Sequence, residues 1–190
     1  ITFVPVFFAI MKLPSEEARR TEKRAPIMED LKAGLHFVWG HAGTRRLAIM
    51  SASFMFLSAP LHGLLATFAK EILGGASELY GFMLGAIGLG ALTGAFFIGR
   101  IPGYYPRHHL IPLSMCAFCV AGILYSFSLT VWLSLALLYV SGIALMLTMN
   151  STNTANQLLA NDENRGRVMS IMLLCNHGAM PLGHLFAGAL

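Results

Sequence analysis

Five stretches of this chain are each about as long as a membrane is thick and almost free of charge: 47–69, 79–99, 110–128, 131–150 and 168–190. A helix rises 1.5 Å per residue, so roughly 20 apolar residues cross the hydrocarbon core. Five such runs leave too little polar surface to cover them in water. The rest of the composition agrees: 56% of residues are hydrophobic and 12% charged, against about 25% charged in a soluble domain. Mean hydropathy is +0.66. An intrinsically disordered chain is excluded, because its apolar residues would have no burial. Three cysteines are too few, and odd in number, for a disulfide scaffold. The pI of about 9.2 does not point to nucleic acid, because the basic residues form no stripe on a polar face. The fold class is an all-α membrane protein.

The basic residues orient the helices. Lysine and arginine accumulate in cytoplasmic loops. Segment 12–46 holds eight of the thirteen: Lys12, Arg19, Arg20, Lys23, Arg24, Lys32, Arg45 and Arg46. The next loops hold Lys70, then Arg100 and Arg107, then none near Thr130, then Arg165 and Arg167. Twelve of the thirteen fall on one side if the chain crosses at each apolar run. Residues 1–12 are too short to cross alone and read as the end of a truncated transmembrane helix. No basic run precedes them and no small-residue cleavage site follows, as a signal peptide would need. Residues 13–46 form a cytoplasmic loop. Within it, Pro26 opens a short amphipathic helix in which Ile27, Leu31, Leu35 and Val38 recur at helical spacing. Trp39 suits the membrane interface. Residues 47–190 carry the five transmembrane helices.

Several side chains inside these runs invite function. The second run contains Gly81, Gly85, Gly88, Gly90, Gly94 and Gly99. The pairs Gly81–Gly85 and Gly90–Gly94 have the spacing that lets helix backbones approach closely in lipid. They serve either static packing or a smooth sliding face. The fourth run ends in Asn150, Ser151, Thr152, Asn153, Thr154, Asn156 and Gln157. Asn150 and Asn153 share a face, and this cluster either caps a helix end or lines a wet cavity. His62, His177 and His184 lie within spans, where ionisable groups are functional candidates. Each is otherwise a neutral ring bonded to a neighbouring helix. All nine Asp and Glu lie in loops or at span ends, so a proton relay in this chain would fall to a histidine. No metal site is expected: Cys116 and Cys119 have no further ligands at zinc spacing, and His108 and His109 sit in a loop. No catalytic motif is present, and no cofactor is expected.

The segment Asp30–Trp39 with His41, Arg45 and Arg46 resembles the stretch before the seventh helix of major facilitator transporters. Ser58-Ala-Pro-Leu61, Ala69-Lys-Glu-Ile-Leu-Gly-Gly75 and the glycine run fit in order. So do Asn150–Leu159, Asp162-Glu-Asn-Arg-Gly-Arg-Val-Met-Ser170, Pro181-Leu-Gly183 and Ala187-Gly188. The chain is most similar to the drug and siderophore exporter branch, which includes enterobactin exporters and macrolide efflux proteins. The resemblance implies twelve helices in two halves, with inverted three-helix repeats and a substrate site between the halves. This chain then supplies the end of helix six, the inter-half loop with its connector helix, and helices seven to eleven, and the missing N-terminal half is its partner.

The function so implied is export of a small molecule, of drug, macrolide or siderophore type, by proton antiport with alternating access in a bacterial inner membrane. The substrate-cavity candidates are Asn150, Asn153, Asn176, His177 and His62. The cytoplasmic gate candidates are Asp162, Glu163, Arg165 and Arg167. One loop departs from the family pattern G-R-x-x-D-R-x-G-R-R. Here Gly103 takes the acidic position and Tyr104 the arginine after it, which removes one charge pairing. A membrane scaffold or binding subunit, or a histidine-dependent membrane enzyme, are the alternative readings of the residues alone.

Overall fold

The computed structural model describes residues 27–75, 77–100, 107–160 and 165–189. Six helices carry them: α1 (Ile27–Gly40), α2 (Ala42–Gly63), α3 (Ser77–Arg100), α4 (Arg107–Ser126), α5 (Val131–Leu159) and α6 (Arg165–Gly188). Helix α2 continues through a short turn, Leu65–Thr67, into a π-helical turn, Phe68–Ile72. No strand occurs among the described residues. The expected truncated span, the charged start of the loop, Gly103, Tyr104, Asp162 and Glu163 lie outside the described residues.

Among the described residues, four helical stretches are long and apolar enough to cross a membrane: Ala42–Ile72, Ser77–Arg100, His109–Ser126 and Val131–Leu159. Helix α6 has the length, at 24 residues, but Asn176, His177 and His184 dilute its apolar character. Two helix limits differ markedly from the expected spans. Helix α2 starts at Ala42 rather than at 47, because Thr44 fits the junction with α1. Its buried hydroxyl lies 3.1 Å from the Val38 carbonyl and 3.0 Å from that of His41. Helix α5 does not stop at 150 but runs on to Leu159. The polar run stays helical because it bonds back onto its own backbone. Asn150 Nδ2 donates to the Met146 carbonyl at 3.1 Å, and Thr154 Oγ1 to that of Asn150 at 2.9 Å.

The outer surface is apolar, and the interior mixes apolar side chains such as Leu65, Met83 and Leu138 with small polar ones. Leu92, Trp132 and Leu185 are 69%, 84% and 70% exposed, whereas Ser134, Thr148, Ser151 and Asn156 are buried. Lipid is as apolar as leucine, so helices in it associate through close packing and hydrogen bonds. Thr148 Oγ1 donates to Ser114 Oγ at 2.8 Å and ties α5 to α4. Thr93 Oγ1 and the Tyr139 hydroxyl, 2.9 Å apart, tie α3 to α5.

Helix α5 packs along α3 on one side and α4 on the other, while α6 packs along α2. The α3–α5 contact is backbone on backbone. A Cβ on Gly94 would lie 2.9 Å from the Ile143 carbonyl oxygen, and one on Gly142 would lie 3.1 Å from the Ala91 nitrogen. A Cβ on Gly90 would collide with the Tyr139 carbonyl. The α2–α6 contact is built in the same way, since a Cβ on Gly183 would strike the Phe56 carbonyl and lie 2.7 Å from the Ala59 Cβ. Helix α1 lies against α6 through buried Gly34 and Val38. A Cβ on Gly34 would be 3.1 Å from Ile171 Cγ1. The expected apolar face of α1 is therefore divided: Val38 is buried, whereas Leu31 and Leu35 are exposed.

Candidate functional cavity

Helices α5 and α6 touch only sparsely, and between them a cavity of about 420 Å³ opens. Met55, Ser58 and His62 line it from α2, and Ala91 from α3. Met146, Met149 and Asn153 line it from α5, and Met169, Met172, Asn176, His177 and Met180 from α6. The helical repeat explains this wall. Met146, Met149 and Asn153 are spaced by three and four, as are Met169, Met172, Asn176 and Met180, so each set faces one way.

Four of the five expected cavity residues thus meet on one surface: His62, Asn153, Asn176 and His177. Asn150 does not join them. It is half-buried, and its amide is engaged with the Met146 carbonyl one turn back. Asn153 and His177 are exposed. The His177 Nδ1 donates to the Leu173 carbonyl at 3.1 Å, which in the neutral ring leaves Nε2 as an acceptor. Asn176 is half-buried, and its Oδ1 is buried with no hydrogen-bond partner. Ser58 is not free to serve a ligand as a donor, because its hydroxyl donates to the Met55 carbonyl at 3.0 Å.

His184 lies beside α2 rather than in this cavity. A Cβ on Gly63 would come within 2.8 Å of its Nδ1, so the glycine after His62 makes room for the imidazole. Of the four gate candidates, Arg165 and Arg167 are described. Arg165 Nη2 donates to Gln157 Oε1 at 2.6 Å, joining the start of α6 to the end of α5. Arg167 lies near Gly34 of α1, where a Cβ would be 3.4 Å from the arginine Cβ. The glycine pairs separate. Gly90 and Gly94 are buried against α5, while Gly81 and Gly85 are exposed and a Cβ on either would meet nothing within 4 Å.

Sequence reasoning missed the methionines. Their signal was present in the spacing, since Met146 and Met149 share the face of Asn153, and Met172 and Met180 that of Asn176. It also missed Gly142 and Gly183, which are isolated in sequence and gain meaning only from the backbone opposite. No group of three His, Cys, Asp or Glu able to hold a metal occurs among the described residues.

Comparison with known proteins adds one result. The family described as transmembrane secretion effector, a branch of the major facilitator superfamily, matches residues 1–190. No curated protein and no solved structure matches the chain. The family match covers every residue, and the helices are those of a multi-pass membrane protein, so this chain belongs to the transmembrane secretion effector family of major facilitator transporters.

Proposed function

We propose that this protein exports a small molecule across a bacterial plasma membrane by proton antiport and alternating access, with the chain forming one wall of the pathway. One observation carries the reading: His62, Asn153, Asn176 and His177 come from three helices and converge on a single cavity. Polar groups at membrane depth line cavities or pathways rather than face lipid. Asn153 and His177 are exposed along this wall, so the cavity has an open side that a second helical bundle of the same protein would close. Such sites lie at the interface of repeats near the membrane midplane. A histidine, not a carboxylate, is the proton carrier that this wall offers.

Accumulation of N-phenyl-1-naphthylamine, an uncharged fluorescent probe, in cells expressing the full-length gene tests the reading. Expression should lower accumulation, and an uncoupler should restore it. Export that persists with the uncoupler overturns proton coupling. The gate part of the reading assigns closure to the cytoplasmic ends of α5 and α6. Replacing Arg165 and Arg167 together by Gln should alter the export rate at normal expression, and unchanged export would remove them from the gate.

A further inference from the structure

The wall of this cavity has an unusual composition. Six of the chain's eleven methionines line it, and no phenylalanine among the described residues does. Phe82, Phe96, Phe97 and Phe186 are exposed on the outer surface, and Phe54 and Phe118 are buried against each other. Thioethers are flexible and polarizable, and they make favourable contacts with the edges of aromatic rings. Here no Phe, Tyr or Trp within the cavity wall supplies such a ring. Among the described residues, no Asp, Glu, Lys or Arg lines it either. At low dielectric, an unpaired charge in such a place would be costly. The Asn176 Oδ1 is buried without a partner, and a buried acceptor in this condition gains when a donor arrives.

We propose that the cavity takes an uncharged aromatic compound bearing an N–H or O–H group. The ring beds on the methionine thioethers of α5 and α6. The donor group meets the Asn176 amide oxygen, which a rotation about the last side-chain bond brings to the cavity surface. This assignment rests on the exporter reading for its purpose, though the binding chemistry stands on the wall itself.

The test measures binding to the full-length protein in lipid nanodiscs, with empty nanodiscs subtracted. Three probes are compared: N-phenyl-1-naphthylamine, which carries an N–H; 1-phenylnaphthalene, which lacks it; and ethidium, a permanent cation. The wild type should bind the first about tenfold more tightly than the second, the weight of one hydrogen bond to a buried acceptor. Ethidium should bind most weakly. Asn176→Leu should bring the ratio of the two neutral probes to about one. Replacing Met172 and Met180 together by Leu should weaken both neutral probes by a similar factor and keep their ratio. A wild-type ratio near one, an unchanged ratio in Asn176→Leu, or tightest binding of ethidium overturns the proposal. If the binding pattern holds but cells show no uncoupler-sensitive export of N-phenyl-1-naphthylamine, the transport reading fails and the site stands. Export with a flat probe ratio has the opposite meaning.

Discussion

Helix α5 has two sides that obey different rules. Toward α3 it is closed. Gly90, Gly94 and Gly142 bring carbonyl groups into the space a side chain would occupy, and a Thr93–Tyr139 hydrogen bond of 2.9 Å holds the register. Toward α6 it is open, and a cavity of about 420 Å³ lined by flexible methionines lies between the two helices. One side removes side chains to gain contact. The other keeps long, soft side chains and leaves space. In lipid, where apolar surface gains little from leaving its surroundings, a seam must be made by close approach. A cavity of this kind needs only that the same close approach be withheld. The contrast separates what holds this wall together from what it can admit.

The largest effect that would break the contrast belongs to the closed side. Gly142→Leu should force α3 and α5 apart and cost about 3 kcal/mol or more, at the upper end of overpacking penalties. The readouts are thermal unfolding and the yield of monodisperse protein in detergent. A variant as stable as the wild type would show that the glycine contact does not hold the pair. On the open side, Met180→Trp should plug the cavity. Substrate export should fall roughly tenfold, equivalent to about 1.4 kcal/mol of binding, with little loss of folded yield. If stability falls as far as in Gly142→Leu, the open side is structural after all.

Smaller changes sharpen the boundary of the seam. Thr93→Val should cost about 0.5–1.5 kcal/mol in unfolding experiments, because it removes one hydrogen bond between α3 and α5. Gly85→Ala should cost nothing and raise helix stability by up to about 1 kcal/mol, since a Cβ there meets nothing within 4 Å. A clear loss of stability in Gly85→Ala would mean that the exposed half of α3 has a partner of its own.

The pairs Gly81–Gly85 and Gly90–Gly94 show where sequence reasoning stops. They have the same spacing on the same helix, yet only the second lies against another backbone. The difference resides in Gly142, far along the chain, and no local pattern connects the two. The helices themselves were legible, because runs of apolar residues at membrane length have few other fates. Their ends were less so. Asn150–Gln157 reads as a helix terminus, but Asn150 and Thr154 bond to carbonyls four residues back, and the helix absorbs them. The cavity was half legible. Asn153, Asn176, His62 and His177 stand out because polar groups are costly in lipid. The methionines do not, because a thioether facing lipid and one facing a cavity have the same hydropathy. Asn150 failed to join its neighbours because its amide had a nearer partner.

The methionine wall also carries a chemical liability that a leucine wall would not. Oxidation turns a thioether into a sulfoxide, which is polar and chiral, and sulfoxide reductases reverse the change. Six such groups around one cavity would convert an apolar surface into a field of strong hydrogen-bond acceptors. Peroxide stress would then alter what this protein can hold before it alters whether the protein is folded, because the closest contacts between α3 and α5, at Gly90 and Gly142, are made by backbone atoms that peroxide leaves unchanged.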